Sequence, residues 1–400
     1  MKLRVNTKFS FFFIPLLIIL LQFARIGGLN VSWLLYIIMF LQVIIHYRIV
    51  MRSASLTLLT GAIVVWPLIS QLWSISKGFQ GNVYFSIITG LVVALYICTL
   101  DNDAFAHFSK GVFFACVVFM GIGLYEMLLG RYMLVTDSIF MVRLNINRLH
   151  YPIVAFANPN DLGQFLALLL PISTVFLLER TNTIGYRIII IFCNVIGGYL
   201  IFNTESNLSM IVFLGTYVIY FFASKKRINK SNVIYWMLFL LVLIIVFVAV
   251  ENRTHIIERI AANVLFVETD DIHFIKRSNL YSSLIESIFK HPFGGFGNAY
   301  SITEPHNLFL YVFSDYGFLG GALFVVWYVS LIRQTIIRLK RNAASNMDYI
   351  LLAGIILFVV SSSISSGNEQ RKAIWIFLGI HMYYHYLSIN KNVVAYNETK

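Results

Sequence analysis

Long apolar segments alternate with short polar segments along the chain. Each apolar segment is roughly 17–22 residues long, which is the length that an α-helix needs to cross a hydrocarbon core about 30 Å thick. The pattern therefore predicts an all-α polytopic membrane protein. About twelve transmembrane spans are expected, at residues 9–25, 29–46, 54–73, 83–100, 111–129, 162–178, 187–203, 206–223, 233–250, 307–331, 350–367 and 373–388.

The composition and charge of the chain agree with this class of protein. Hydrophobic residues make up 59% of the sequence and the mean hydropathy is +0.79. The net charge of +12 could indicate a nucleic-acid partner, but most of the positive residues lie between apolar segments, where they set topology and meet anionic lipid head groups. We therefore expect membrane lipids and no nucleic acid as partners. With the N-terminus inside, the short loops follow the positive-inside rule, so both termini are predicted to be cytoplasmic.

Two long polar segments, 130–161 and 251–305, share the outer face in this topology. In the second, apolar residues recur at helical spacing from Leu280 to Ile288, which predicts a partly helical loop at the membrane interface. Pro292 is expected to stop that helix, and the glycines that follow it to form a turn. The predicted organisation is N-terminal spans at 1–130, middle spans at 131–250 with an outer loop at 131–161, an extracytoplasmic loop at 251–306 between spans nine and ten, and C-terminal spans at 307–400.

His306 lies where the second outer segment meets the tenth span, directly after Pro305, a residue favoured in the first helical turn. The unpaired N–H groups of a helix N-terminus attract anions and disfavour imidazolium, so the ring would stay neutral and accept a proton at about pH 7. This interpretation predicts a general base at the outer face. The alternative is a histidine that caps the helix or contacts lipid head groups.

Several arginines precede His306 in the same outer segment, among them Arg253, Arg259 and Arg277. The guanidinium fork suits bidentate contact with a phosphate or a diphosphate. The alternative is snorkelling towards anionic lipid, or pairing with nearby acidic residues. The His and Cys residues do not form the Cys-x-x-Cys clusters typical of a structural zinc site, so no metal is expected.

Two further patterns concern helix packing and helix ends. Residues from His306 to Gly321 follow helical spacing, and Gly317 and Gly321 form a small-xxx-small pair that predicts close approach of another helix. Before the sixth span, Asn160 or Asp161 could act as the N-cap of a helix.

These patterns join into one longer succession, formed by Arg277, Pro292, Gly295, Gly297, Pro305, His306, Asn307, Gly317 and Gly320. The succession resembles the signature of the O-antigen ligase and polymerase superfamily. In that family an arginine starts a helix, a Pro-x-x-Gly-x-Gly turn follows, and a His-Asn pair opens the next span above a glycine pair. Asn158, Pro159 and Asn160 look like the family's Asn-Pro-Asn element. The resemblance covers roughly residues 145–325, and the first four spans contribute only hydropathy.

The resemblance implies a metal-independent glycosyltransferase of the bacterial cytoplasmic membrane that needs no cofactor. Such an enzyme takes a glycan from an undecaprenyl diphosphate carrier at the outer face and joins it to an acceptor hydroxyl. His306 would be the general base, and the diphosphate and substrate would be bound by Arg277, Arg259, Asn307 and Arg148. Structural roles are expected for Pro305, Gly317, Gly321, Asn158, Pro159 and Asn160.

The sequence departs from the family at one place. Family members have an arginine in the Ser-Arg pair after the seventh span, whereas this chain has Ser206 followed by Asn207. Asn207 carries no charge, so Arg148, Arg371 or Lys372 would have to supply the cation, or the diphosphate is held differently.

The first functional hypothesis is a polymerase that builds O-antigen, capsule or exopolysaccharide from lipid-linked repeat units, with a chain-length regulator and a flippase as expected partners. The second is a ligase that transfers a finished glycan to an acceptor. A flippase for lipid-linked sugars is a hypothesis of another class. It is less favoured, because a transport path should place charged residues within the spans, and their central parts are nearly charge-free.

Overall fold

The structure is a computed structural model that describes most of the apolar segments and few of the polar ones. The described residues are 7–21, 25–26, 29–47, 54–70, 72–73, 81–129, 152–154, 156, 159–204, 206–224, 282–286, 288–293, 295, 308–340, 345–362 and 372–398. Among them the regular secondary structure is helical apart from two strands of two residues each, Arg25–Ile26 and Leu29–Asn30, which pair antiparallel. The all-α class predicted from the apolar pattern is confirmed.

Eleven helices within these ranges each coincide with one of the predicted spans. They are α1 Thr7–Leu20, α2 Ser32–Ile45, α3 Ala54–Ser70, α4 Gly81–Thr99, α5 Asn102–Leu129, α6 Pro159–Arg180, α7 Ile184–Asn203, α8 Asn207–Ser224, α9 Leu308–Lys340, α10 Asn346–Ser361 and α11 Lys372–Glu398. The predicted span at 233–250 lies outside the described residues.

Four of these helices, α5, α6, α7 and α9, are long and apolar enough to cross a membrane. Shorter apolar helices, of 10–17 residues, account for much of the remainder. The described part of the chain is therefore that of a polytopic membrane protein, while the number of twelve spans stays a prediction.

The chain forms two compact units, each assembled from separate stretches of sequence. The first takes in Met1–Ile37, Leu100–Val250 and Leu339–Ile364, and the second takes in Ile38–Thr99, Glu251–Arg338 and Ser365–Lys400. Division of the sequence into four consecutive segments stays a prediction.

In the first unit the helix α6 lies at the centre. It contacts α5, α7, α8 and α10, and its residues from Asp161 to Phe176 are all buried. The buried residues of α6 include polar ones such as Gln164 and Thr174, which the surrounding helices shield from lipid. In the second unit the principal helix pair is α4 with α11, and α3 packs against α4. The close approach of α4 and α11 depends on Gly379, where a Cβ atom would lie 2.7 Å from Ile97 Cδ1.

The segment 251–305, which is predicted to lie on the outer face, is described only near its end. Residues 282–286 and 288–290 are helical, Leu284 is buried, and His291 begins a turn. The helix expected around Leu284 and its end before Pro292 are therefore confirmed for these residues. Glu286 and Lys290 form an exposed ion pair one turn apart at 2.6 Å, and the hydrogen bond from Lys290 lowers the pKa of the Glu286 carboxyl from its ordinary value. An exposed pair of this kind contributes little to stability.

Candidate functional site

The turn that follows Pro292 docks onto helix α9 within the second unit. Helix α9 is interrupted at Gly317, where φ is 71° and ψ is −177°. Just past this break, the N–H of Phe318 donates a hydrogen bond to the carbonyl of Pro292 at 2.6 Å. Inside the turn, the N–H of Gly295 donates to the carbonyl of His291 at 3.1 Å. The turn thus supplies an acceptor to a helical N–H group that the break deprives of its partner.

Glycine is required on both sides of this contact. Gly295 has φ 57°, and a Cβ atom there would collide with the carbonyl oxygen of Ser314 in α9. In the opposite direction, a Cβ atom on Gly317 would lie 2.7 Å from the carbonyl oxygens of Pro292 and Phe293. Both positions combine a positive φ with the absence of room for a side chain, and only glycine satisfies both conditions. We call this contact between the turn 291–295 and the break at Gly317 the glycine interlock.

The structure interrupts the helical spacing that was predicted from His306 to Gly321. That spacing is wrong at Gly317, because the backbone there is not helical. Among the described residues, the atoms nearest to a Cβ on Gly317 belong to the turn, and those nearest to a Cβ on Gly321 belong to the ring of Phe313 in the same helix, so the predicted approach of another helix to these two glycines stays a prediction. Gly320 does face a neighbouring helix, since a Cβ atom there would lie 2.8 Å from Cδ1 of Trp66 in α3.

An acidic residue lies just before the break and was missed by the sequence reasoning. Asp315 is 1% exposed, and the Oγ of Ser314 donates to its Oδ1 at 3.3 Å and to the carbonyl of Tyr311 at 3.1 Å. A buried carboxylate within a span is energetically costly and commonly functional. The signal was an aspartate in an apolar run two residues before Gly317, where we expected a nearly charge-free span.

In the first unit the structure brings together two sequence elements that were considered separately. Pro159 and Asn160 of the Asn-Pro-Asn element begin α6. Gly163, four residues after Pro159, packs against the turn between α7 and α8. A Cβ atom on Gly163 would lie 2.8 Å from Ser209 Oγ and 2.9 Å from Thr204 Oγ1. The turn is tied internally, since Ser206 Oγ and Ser209 Oγ are 2.7 Å apart. The start of α6 therefore lies beside the place where the family carries its arginine.

The cap predicted for the sixth span at Asn160 or Asp161 is wrong, because the helix has already begun before these residues. Helix α6 begins at Pro159, a favoured first-turn position for proline. Asn160 and Asp161 therefore lie inside the first turn rather than at the cap, and Asp161 is 2% exposed. A carboxylate in the first turn is stabilised by the unpaired N–H groups and the positive end of the helix dipole. Asn158, which precedes the helix, lies outside the described residues.

A second acidic residue of the first unit anchors the segment that leads into α6. Glu126 in α5 is fully buried, and its Oε2 accepts hydrogen bonds from the N–H groups of Ile153 at 2.8 Å and Val154 at 2.7 Å. Val154 has φ 58°, an unusual conformation for a β-branched residue. The two hydrogen bonds to one carboxylate oxygen offset the cost of this conformation, so Glu126 fixes the chain just before the Asn-Pro-Asn element.

Most of the residues predicted to carry the chemistry lie outside the described part of the chain. These are His306, Asn307, Pro305, Arg277, Arg259 and Arg148. The helix that His306 was expected to open is present, since α9 begins at Leu308 and Leu308 is buried. The roles of these residues remain predictions.

The place of the missing family arginine is described in part. Asn207 is the first residue of α8, and its side chain, like Arg371, lies outside the described set. Lys372, the other cation considered there, is buried at the start of α11. Its Nζ donates to the carbonyl of Ser86 at 2.8 Å and to Thr89 Oγ1 at 2.7 Å, so it ties α11 to α4.

Among the described residues, no three His, Cys, Asp or Glu side chains come together as ligands for a metal ion. The absence of a metal requirement stays a prediction, because the predicted site residues are not among those described.

Helical topology and apolar spans define the class of this protein as an integral, polytopic membrane protein. A family model described as O-antigen ligase matches residues 192–325. The matched part includes both glycines of the glycine interlock, and the match agrees with the resemblance that the motifs indicated. No curated protein matches the chain significantly.

Proposed function

We propose that this protein joins undecaprenyl-diphosphate-linked oligosaccharide repeat units into a surface polysaccharide at the outer face of the bacterial cytoplasmic membrane. The match of residues 192–325 to the O-antigen ligase family supports glycan transfer of the ligase or polymerase type. The observation that links the proposed activity to a place in the structure is the glycine interlock. It joins the turn of the outer segment to α9, whose described start at Leu308 follows His306 by two residues.

In the proposed reaction, His306 takes the proton from a hydroxyl group of the acceptor sugar. The oxygen then attacks the anomeric carbon of the donor, and the bond from that carbon to the diphosphate oxygen breaks. The electron pair of this bond leaves with undecaprenyl diphosphate. Arg277 and Arg259, assisted by Arg148 and Asn307, would hold the diphosphate and stabilise its developing charge.

Placement of this site on the outer face rests on the distribution of Lys and Arg in the sequence, which puts both termini in the cytoplasm. The lipid carrier would reach the site through the membrane, and the growing chain would leave on the outer side. A chain-length regulator and a flippase are the proposed protein partners.

The experiment that tests the proposal is deletion of the gene followed by analysis of surface polysaccharide and of lipid-linked glycans. Loss of a polymerase leaves single repeat units on the carrier or on the final acceptor. Long chains stranded on the carrier would assign the protein as a ligase instead. Lipid-linked glycan trapped on the cytoplasmic side would refute transfer and point to a flippase.

A further inference from the structure

The break in α9 is held from a second side by a tryptophan of α3. The Nε1–H of Trp66 donates a hydrogen bond at 2.8 Å to the carbonyl of Tyr316, the last residue before Gly317. Trp66 and Tyr316 both belong to the second unit, although they are 250 positions apart in the sequence. The two backbone groups that flank the break therefore have partners from different elements: Phe318 N–H bonds to the turn, and Tyr316 carbonyl bonds to the indole.

The indole reaches this carbonyl because the next turn of α9 has no side chain in its way. A Cβ atom on Gly320 would lie 2.8 Å from Trp66 Cδ1 and 2.9 Å from its Nε1. Gly320 therefore allows the ring to lie flush against the backbone at the break. Trp66 is also stacked on Trp73, with ring centroids 6.3 Å apart and planes 20° from parallel, which restricts the orientation of the indole.

We infer that Trp66 is a positioning residue for glycan transfer: its hydrogen bond to Tyr316 fixes the direction of residues 308–316, the short helical segment that follows His306. This inference rests on the proposed function. Eight helical steps of about 1.5 Å separate residue 308 from residue 316, so the segment acts as a lever of about 12 Å. A tilt of about 5° at the break moves its outer end by about 1 Å on this lever. Displacement by that distance can lower a catalytic rate about a hundredfold.

The test replaces Trp66 with phenylalanine, which removes the N–H donor and keeps an aromatic ring. Trp327 provides a matched control, since its Nε1–H donates to Thr60 Oγ1 at 3.0 Å and also links α9 to α3, but ten residues beyond the break. Trp327→Phe removes one buried hydrogen bond between the same two helices. A purely structural role for Trp66 predicts the same behaviour for both variants.

Two measurements on the purified full-length proteins separate these cases. In hydrogen exchange, Trp66→Phe should accelerate exchange of the Phe318 amide and its neighbours roughly fivefold, the factor expected from one lost hydrogen bond, whereas Trp327→Phe should not. With a synthetic polyprenyl-diphosphate oligosaccharide as donor, Trp66→Phe should lower kcat about tenfold to a hundredfold with KM unchanged. Trp327→Phe should retain kcat within about twofold, because it leaves the break intact.

Equal exchange and equal kcat in the two variants would overturn the inference, and so would faster exchange in Trp66→Phe with a normal kcat. Absence of transfer by the wild-type protein with any lipid-linked donor would refute the proposed function instead. In that event the exchange comparison would still decide whether Trp66 holds the break.

Discussion

Replacement of Gly317 by alanine should destabilise the second unit by several kcal/mol. At φ 71° and ψ −177° the backbone lies in a region that is essentially restricted to glycine, so any side chain there costs about 1–3 kcal/mol. The new methyl group would also lie 2.7 Å from the carbonyl oxygens of Pro292 and Phe293. Overpacking of this kind costs about 1–3 kcal/mol more, which gives a total of about 2–6 kcal/mol.

Gly61 offers a control with the opposite expected sign. It lies in α3 of the same unit, and a Cβ atom there would meet nothing within 4 Å. Alanine in a helix interior is favoured over glycine by about 0.5–1 kcal/mol, so Gly61→Ala should raise stability slightly. Thermal unfolding of the purified protein in detergent, followed by tryptophan fluorescence, measures both changes. A midpoint for Gly317→Ala at or above that of the wild type would refute the interlock.

The double variant Gly295→Ala, Gly317→Ala gives a sharper form of the same experiment. Each single substitution forces the turn and the helix apart at the same contact. Once one methyl group has separated them, the second has less to displace, so the combined loss should be smaller than the sum of the two single losses. Strict additivity would mean that the two glycines act independently and that they do not form one contact.

Three further substitutions test the proposed site and the first unit. His306→Ala should abolish polymer while the protein still inserts into the membrane. His46→Ala, at an exposed histidine, is the control and should leave polymer unchanged. Polymer of normal chain length in His306→Ala would refute the role of His306 as general base. Arg277→Lys should reduce transfer about tenfold or more, because lysine cannot make the bidentate contact, and near-normal transfer would mean that only surface charge matters. Gly163→Ala should lower the midpoint of thermal unfolding, because the new methyl group would press on the Thr204–Ser209 turn. Gly121→Ala should leave the midpoint unlowered, because a Cβ atom there meets nothing within 4 Å.

The helices could be predicted from the sequence because a membrane span leaves a strong local signal. A segment that must bury every backbone polar group in lipid is helical and apolar over its whole length, and both properties can be read from neighbouring residues. Helix α6 illustrates this: the span predicted at 162–178 is contained in Pro159–Arg180. The same local signal does not separate a continuous helix from two half-helices joined at a glycine.

The break at Gly317 could not be predicted because its cause lies elsewhere in the sequence. Phe318 N–H finds its acceptor at Pro292, and Tyr316 carbonyl finds its donor at Trp66. Without these partners a helix through Gly317 satisfies more backbone groups than a break does, so helical spacing is the correct local expectation. The tertiary contacts reverse that preference.

The buried acids were missed for a related reason. Glu126 stands near the end of an apolar run and Asp315 lies inside one, so each appears in the sequence as a single polar interruption. What stabilises Glu126 is the backbone of Ile153 and Val154, which the sequence does not place beside it. Hydropathy averages over such residues, although one of them, Glu126, fixes the segment that leads into α6.

Contacts made by individual glycines distinguish the glycines of the motif from other glycines in the described helices. Gly61, Gly121 and Gly185 lie in helices with open space where a side chain would be, and hydropathy treats them no differently from the motif glycines. Gly295 and Gly317 instead have no room and need positive φ. If the interlock is the reason for the motif, substitutions at Gly295 and Gly317 should impair transfer, and alanine at the three open positions should be tolerated. In that case the motif marks the contact that holds the turn 291–295 on α9, and the rate of transfer at the proposed site depends on the stability of that contact.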